Sequence, residues 1–295
     1  MRLSFVWWNT SLSPAGKDRA TDAQRQVVCS MVNIILNQMQ VDFLALGEIS
    51  EKDVKVILEN CQLANIGNGF DFAKVGRSRF DTGFLYRRDK LVLIDPLRPI
   101  ITNKGNRTLK LAQRADFTIR GCDKSLHVFI SHWPSLLWCP ESSADRHLLS
   151  IKLREMVEEV SPEHGKIGNV ILLGDYNAEP YNDSFAEQLM ATRDRVLARK
   201  MPNLLYNPFW RHLGFSKPYS SDMTDEGSGG TYFHKNGKIT RWRTFDQIIF
   251  SSAFLGHTEW HLNEDLTGIL DIEKDLKIFD HFPVYGVIEK VQSHG

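Results

Sequence analysis

Short apolar runs separated by polar turns recur along the whole chain: LSFVWW, DFLALG, FLYR followed by KLVLI, FTI, HVFIS, NVILLG, TFDQIIF and FPVYGVI. Runs of this length suit strands and are too short for stable helices. Two segments carry the other periodicity. Thr21 to Gln40 opens with TDAQ, a Thr-x-x-Gln capping box, and places Val27, Val28, Met31, Ile34, Ile35 and Met39 at helical spacing. From about Ala144 to Val160, Leu148, Leu149, Ile151, Leu153 and Met156 stand among charged residues in the same way. Strands outnumber helices, and FLY and LVLI flank the polar RRDK as the arms of an antiparallel hairpin would. The expected class is mixed α/β, with layers built around extensive sheet.

With 295 residues and 42% hydrophobic content the chain can bury a large core, and no proline-rich or low-complexity linker divides it. A single domain over residues 1–295 is expected. Cys29, Cys61, Cys122 and Cys139 form no Cys-x-x-Cys pair, which points away from a zinc site or a disulfide framework and toward a reducing compartment. The opening MRLSFVWWNT lacks a signal-peptide pattern, and no apolar run approaches the roughly 20 residues that span a bilayer. A cytoplasmic protein without membrane attachment is the expectation.

Several strands end on, or adjoin, a residue capable of chemistry. Asn9 follows FVWW, Glu48 follows FLALG, His132 follows VFIS and Asp175 follows VILLG, while Asp246 lies inside TFDQIIF and Asp280–His281 precedes FPVYGVI. Each has a bland reading. Gly174, Asp175 and Asn177 all favour turns, a lone glutamate after an apolar run is usually a solvated charge, and His132 could be a satisfied core histidine. Asp246 is the exception, because a carboxylate among apolar strand residues is costly unless something pairs with it. If these strand ends share one rim, they converge on one pocket held by rigid supports.

Taken in order, WNT, GE, SH, GDYNAEP, FDQI and DHFPV resemble the signature blocks of the endonuclease/exonuclease/phosphatase superfamily, the deoxyribonuclease I-like proteins. The resemblance covers Asn9 to Val284 and implies a four-layered α/β/β/α sandwich of two packed, mostly antiparallel sheets. It also implies a Mg²⁺- or Mn²⁺-dependent phosphodiesterase. Glu48 and Asp280 are then hard oxygen ligands for the ion, with Asn9 adding a neutral oxygen. Asp175 orients or deprotonates the attacking water, with Asn177 steadying it or the phosphate. His281 contacts the phosphate or acts as acid/base, oriented by Asp246, and His132 assists phosphate binding or the leaving group. The family pairs this last histidine with a carboxylate, for which Asp81 is the nearest match. Arg114 in QRADFTI resembles the family's phosphate-contacting arginine. Gly47 stands where glutamine usually precedes the metal glutamate, and Phe279 where serine usually precedes the DH pair.

Nucleic acid, with DNA favoured, is the expected substrate. Overall charge says nothing, since 36 basic residues balance 36 acidic ones. Between Arg193 and Arg243, however, ten basic residues, Arg199, Lys200, Arg211, Arg241 and Arg243 among them, face four acids (Asp194, Asp222, Asp225, Glu226), with aromatic residues interleaved. Because this segment separates the GDYN and FDQI blocks, it is expected to border the pocket. A phosphatase or a lipid or small-molecule phosphodiesterase on the same fold is the alternative, and a non-catalytic nucleic-acid-binding module the rival from another class. A nuclease in the cytoplasm threatens its host, which suggests repair or defence under a regulatory protein partner.

Overall fold

The computed structural model describes residues 1–76, 78–122, 124–161, 168–222, 227–270 and 279–291. Two sheets dominate it. The first runs, in spatial order, Trp260–Ile269, Val284–Lys290, Arg2–Asn9, Phe43–Gly47, Gly83–Arg87 and Ile66–Phe70, and every pairing is antiparallel except that of Arg2–Asn9 with Phe43–Gly47. The second runs Ala191–Thr192, Leu205–Tyr206, Asp246–Ser251, Val170–Asp175, Ser125–His132, Arg107–Ile119 and Leu91–Leu93, with Arg98–Lys104 also paired to Arg107–Ile119. Here Val170–Asp175 and Ser125–His132 are parallel, and Asp175 lies opposite Asp246 across an antiparallel pairing.

Period-two alternation gives each sheet an inner and an outer face. Phe5, Trp7, Phe43 and Ala45 of the first sheet meet Val128, Ile130, Ile171, Leu173, Ile248 and Phe250 of the second in one buried cluster between the sheets. The outer face of the first sheet, including Val6, Trp8, Leu44 and Leu46, is covered by the helices Asp22–Asn33 and Glu51–Asn60. The outer face of the second, including Phe129, Leu172 and Ile249, is covered by Ala144–Glu159. Three cores between four layers give the α/β/β/α sandwich. The Thr21 capping box forms with both of its hydrogen bonds, and Ser50 with Asp53 makes a second one ahead of Glu51–Asn60, a helix the sequence reading passed over.

The hairpin expected at FLYR and KLVLI does not form. Gly83–Arg87 belongs to the first sheet and Leu91–Leu93 to the second, so the polar turn between them carries the chain across the sandwich. Phe84, Tyr86 and Leu91 nonetheless face the same inter-sheet core, from opposite sides. Apolar spacing fixed their burial but could not say to which sheet each run would bond.

Candidate active site

The alternation that builds the inner core also aims the polar residues at the strand ends. Two positions beyond Trp7, Ile130 and Leu173 come Asn9, His132 and Asp175, and two positions before Ile248 comes Asp246, so all four point into the gap between the sheets at one rim. The two sheets meet there: Asn9 Nδ2 donates to Asp175 Oδ2 at 3.1 Å and lies 3.4 Å from Glu48 Oε1. Gly174 is required where this strand runs beside its neighbour in the second sheet, since a Cβ on it would stand 2.0 Å from the Ser131 carbonyl oxygen. Asp175 then closes an Asx turn, its Oδ1 accepting from the Asn177 N–H at 2.8 Å, while Asn177 adopts φ +47° and donates its Nδ2 to the Trp133 carbonyl at 3.0 Å. GDYN is thus a turn whose hydrogen bonds fix a carboxylate at the rim.

Two histidine–carboxylate pairs flank that carboxylate. His281 Nδ1 lies 2.8 Å from Asp246 Oδ2, and the other Asp246 oxygen accepts from Trp7 Nε1 at 2.7 Å. His132 Nδ1 lies 3.2 Å from both oxygens of Asp81, which also accepts from Lys110 Nζ at 2.7 Å. The free Nε2 atoms of both rings stand 3.9 Å from the same Asp175 Oδ2. Burial by itself would lower both imidazole pKa values. The paired carboxylates outweigh it, lifting His281 to about 10 through Asp246 and His132 to about 9 through Asp81. Asp81 shows the converse: burial would raise it, but His132 and Lys110 hold it below the usual carboxylate range. At neutral pH the rim therefore carries two imidazolium rings whose Nε2 atoms lie 3.9 Å from the same carboxylate oxygen.

Glu48 stands beside them at φ +53°, its Oε1 3.7 Å from His132 Nε2. Burial raises its pKa, with Asp81 and Asp175 adding like charge against the opposing pull of His132 and His281. A partly buried carboxylate hemmed in by other carboxylates is the environment a hard divalent cation would relieve. Asp280 is tied to the same place, since Ser11 Oγ donates to its Oδ1 at 2.5 Å and Ser11 N–H donates to Asn9 Oδ1 at 3.1 Å. Asn9 consequently turns its amide nitrogen to the carboxylates, and its oxygen, expected as a metal ligand, accepts from Ser11 and keeps a second lone pair. Glu48 and Asp280, half-buried and exposed respectively, are the more open oxygen donors. Asp175, Asp246 and His281 also bring ligand atoms within 4.8 Å of one another, but both Asp246 oxygens are already engaged by Trp7 and His281, which makes that group a proton-holding unit.

The sequence profile of the Endonuclease/Exonuclease/phosphatase family matches residues 13–266. The chain belongs to that family. No curated protein matches it. An endonuclease/exonuclease/phosphatase family protein from Bacteroides thetaiotaomicron is similar in structure at 14% identity and TM-score 0.63, over 100% of this chain and 99% of that one. The D. rerio protein TDP2, solved with a single-strand DNA product, is similar at 18% identity and TM-score 0.60, over 98% and 99%. A mannosyl-6-phosphatase of Bacteroides thetaiotaomicron is similar at 14% identity and TM-score 0.61, over 98% and 100%. At these identities the likeness establishes the fold.

Where family members usually carry serine, Phe279 packs edge-on against Trp8 at 5.3 Å and so belongs to the outer core. Arg114 is not brought to the site. It lies on the outer face of its strand, where it is held by Asp116 at 2.7 Å and lies 6.0 Å from the Phe129 ring, and Asp116 also binds His127 at 2.7 Å. Its alternation is the opposite of that of Ala115 and Phe117, which face the inner core. Nor does the whole basic segment border the pocket. Leu205 pairs with Ser251 at the far end of the strand that begins at Asp246, about 17 Å away at ~3.3 Å per residue, and Arg199 approaches Gly256 beyond it, with Lys200 adjacent. Arg211 donates to the Glu264 carbonyl at 3.4 Å on the edge strand. Asp225 and Glu226, counted in the charge balance, lie outside the described residues. Arg243 does line a cleft beside Asn177, with Glu179 at 3.6 Å, and Arg241 lies 5.3 Å over Phe233, whose N–H donates to the Asp280 carbonyl.

A second cleft, of about 550 Å³, lies on the Glu48 side, lined by Lys17, Lys52, Lys74 and Arg79 with Asp18 and Glu51. Ser50 and Arg79 of its lining stand two positions along the chain from Glu48 and Asp81. Lys52 pairs with Asp18 at 3.5 Å, whereas Lys17, Lys74 and Arg79 have no ion pair among the described residues. These cations are scattered in sequence and form no charge run. Lys110 and Trp7 were likewise missed, and Tyr232 was legible only as one of the aromatic residues, candidate stacking platforms, interleaved in the basic segment. The Tyr232 ring lies 4.5 Å from that of His281, and its hydroxyl pKa is lifted to about 12 by burial and the surrounding carboxylates.

Proposed function

We propose that this chain hydrolyses phosphodiester bonds of nucleic acid, DNA in preference, in a reaction that depends on Mg²⁺ or Mn²⁺. The observation carrying the reading is the pair of carboxylate-backed imidazoles whose Nε2 atoms stand 3.9 Å from one oxygen of Asp175. Such a site offers two charge-assisted donors to phosphate oxygens and one carboxylate to accept a proton from water. His281, oriented by Asp246, and His132, oriented by Asp81, hold the phosphate and the developing charge. Asp175 orients the attacking water, and Asn177 fixes Asp175 through its backbone N–H. Glu48 and Asp280 would hold the cation, with Asn9 cross-linking Glu48 and Asp175. When bound, the ion supplies charge neutralisation on the phosphate and leaving oxygens.

Nucleic acid is favoured over a compact phosphomonoester by the basic cleft of Lys17, Lys52, Lys74 and Arg79 beside Glu48, which suits the phosphates of a continuing strand. The D. rerio structure bears a DNA product, in line with this reading. No helix among the described residues is long and apolar enough to cross a membrane. The test is a panel of single- and double-stranded DNA and RNA, nucleotides, sugar phosphates and phospholipids incubated with the purified protein and Mg²⁺ or Mn²⁺. Cleavage of oligonucleotides ahead of the rest is expected. Turnover confined to sugar phosphates or lipids would replace the nuclease reading with a phosphatase or lipid phosphodiesterase.

A further inference from the structure

Beside Asn177 and His281 lies a second opening, of different chemistry from the basic cleft. It encloses about 710 Å³, within the roughly 300–1,000 Å³ typical of small-ligand sites. Asn177 forms part of its wall, and Tyr232, which rests on the His281 ring, forms part of its floor. Phe245 stacks on Tyr232 with ring centroids 5.5 Å apart and planes 17° from parallel. Leu136 and Leu137 enter from the loop after His132–Trp133, and Ile239 from the turn joining Tyr232–Phe233 to Trp242–Arg243. Leu137 is 81% exposed and Ile239 99% exposed, so neither contributes to a core. Among the described residues, these two large apolar side chains at the mouth of a cleft with an aromatic lining join no buried cluster. Lys238 and Arg243 add cations to the same wall.

We infer that this cleft is a subsite for one unstacked aromatic base carried on the phosphate that lies at the catalytic cluster. The inference rests on the phosphoester reading of that cluster. A planar base can lay its faces on apolar and aromatic walls while its edge acceptors and the sugar–phosphate meet Lys238 and Arg243. A polyol in the same place would bury hydroxyls against Leu137 and Ile239 without partners, which is costly. A paired and stacked base could not enter, so single-stranded or frayed ends are favoured over intact duplex, whose base must first be unstacked.

The test compares adenosine 5′-monophosphate with ribose 5-phosphate, in the native protein and in the double variant Leu137→Ser/Ile239→Ser. Binding is read as Kd where a compound survives and as KM where it is hydrolysed. Native protein is expected to prefer the base-bearing compound by at least ~5-fold, the low end for stacking one base. In the variant that preference should fall toward parity. Both changes lie on exposed side chains, and unchanged melting verifies the fold. Equal affinity for the two compounds in native protein, or a preference untouched in the variant, overturns the inference. A preference that behaves as expected while no phosphoester is hydrolysed would sustain the subsite and sink the proposed activity. Hydrolysis with no base preference would do the reverse.

Discussion

Replacing Asp246 by asparagine probes the His281 unit with little change of shape. Its two carboxylate oxygens are both used, one accepting from Trp7 Nε1 at 2.7 Å and the other facing His281 Nδ1 at 2.8 Å. Asparagine has one acceptor and one donor at that end. The indole N–H is donor only, so the amide oxygen must face Trp7, which leaves the amide N–H facing His281 Nδ1. The ring nitrogen must then accept, so the imidazole carries its single proton on Nε2 and loses the charge that Asp246 sustained. A neutral donor is roughly half as strong as a charged one. General acid–base groups contribute about 10²–10⁴-fold. Because the ring stays in place, Asp246→Asn is expected to lower kcat by roughly 10- to 10³-fold, less than His281→Ala. Trp7 keeps its acceptor, so stability should fall by only about 1 kcal/mol. Steady-state kinetics with a fluorescent oligonucleotide, a denaturant titration and a Mn²⁺ titration cover the three readouts. The metal midpoint should not move, because Asp246 has no free oxygen to coordinate. An unchanged kcat, a rate loss matched by unfolding, or a shifted metal midpoint would each refute this assignment.

Asp175→Asn and His281→Ala should each cut the rate steeply while melting changes little. Their double variant should be little worse than the poorer single, since both act on the same transition state; multiplicative losses in kinetic assays would show independent roles. Removing Lys17, Lys74 and Arg79 together should reduce the slope of log K against log salt by up to ~2.7 on duplex DNA or ~2.1 on single strands, whereas Arg199→Ala with Lys200→Ala should leave it unchanged. Filter binding across a salt series reads both, and the opposite pattern would return the binding surface to the basic segment. Asp116, held at about 2 by His127 and Arg114 against the raising effect of burial, has a folded pKa below its ordinary 3.8. Its contribution, roughly 2 kcal/mol, is therefore present above pH 3.8 and lost as pH falls through about 2. Asp116→Asn should be less stable than native protein near neutrality and approach it in acid, and a gap independent of pH in urea titrations would contradict that linkage.

The site was legible in the sequence where backbone periodicity carries the information. Asn9, His132, Asp175 and Asp246 continue or precede an inner-facing alternation, so the strand pattern that buries Trp7, Ile130, Leu173 and Ile248 also dictates where they point. Partners that arrive from other strands were harder to read. Lys110 and Trp7 reach Asp81 and Asp246 across the fold, over 29 and 239 positions of sequence, and nothing local marks them. Arg114 was misplaced because its face depends on the phase of a long strand that bulges where it pairs with Arg98–Lys104. Trp260–Ile269 and Arg98–Lys104 escaped notice because edge strands, half open to solvent, tolerate WHLNEDLTGI and RPIITNK in place of apolar runs. The unformed hairpin has the same origin: an apolar alternation specifies which side is buried and leaves the bonding neighbour open.

The central claim is that the carboxylates at this rim await a divalent cation and that phosphodiester cleavage depends on it. Purified protein dialysed against chelator and mixed with a labelled single-stranded oligodeoxynucleotide tests it directly. Cleavage should be absent in chelator and return with added Mg²⁺ or Mn²⁺, and Glu48→Gln should need more metal to reach half-maximal rate. Full cleavage in excess chelator, or no cleavage at any metal concentration by a folded protein, would contradict the account.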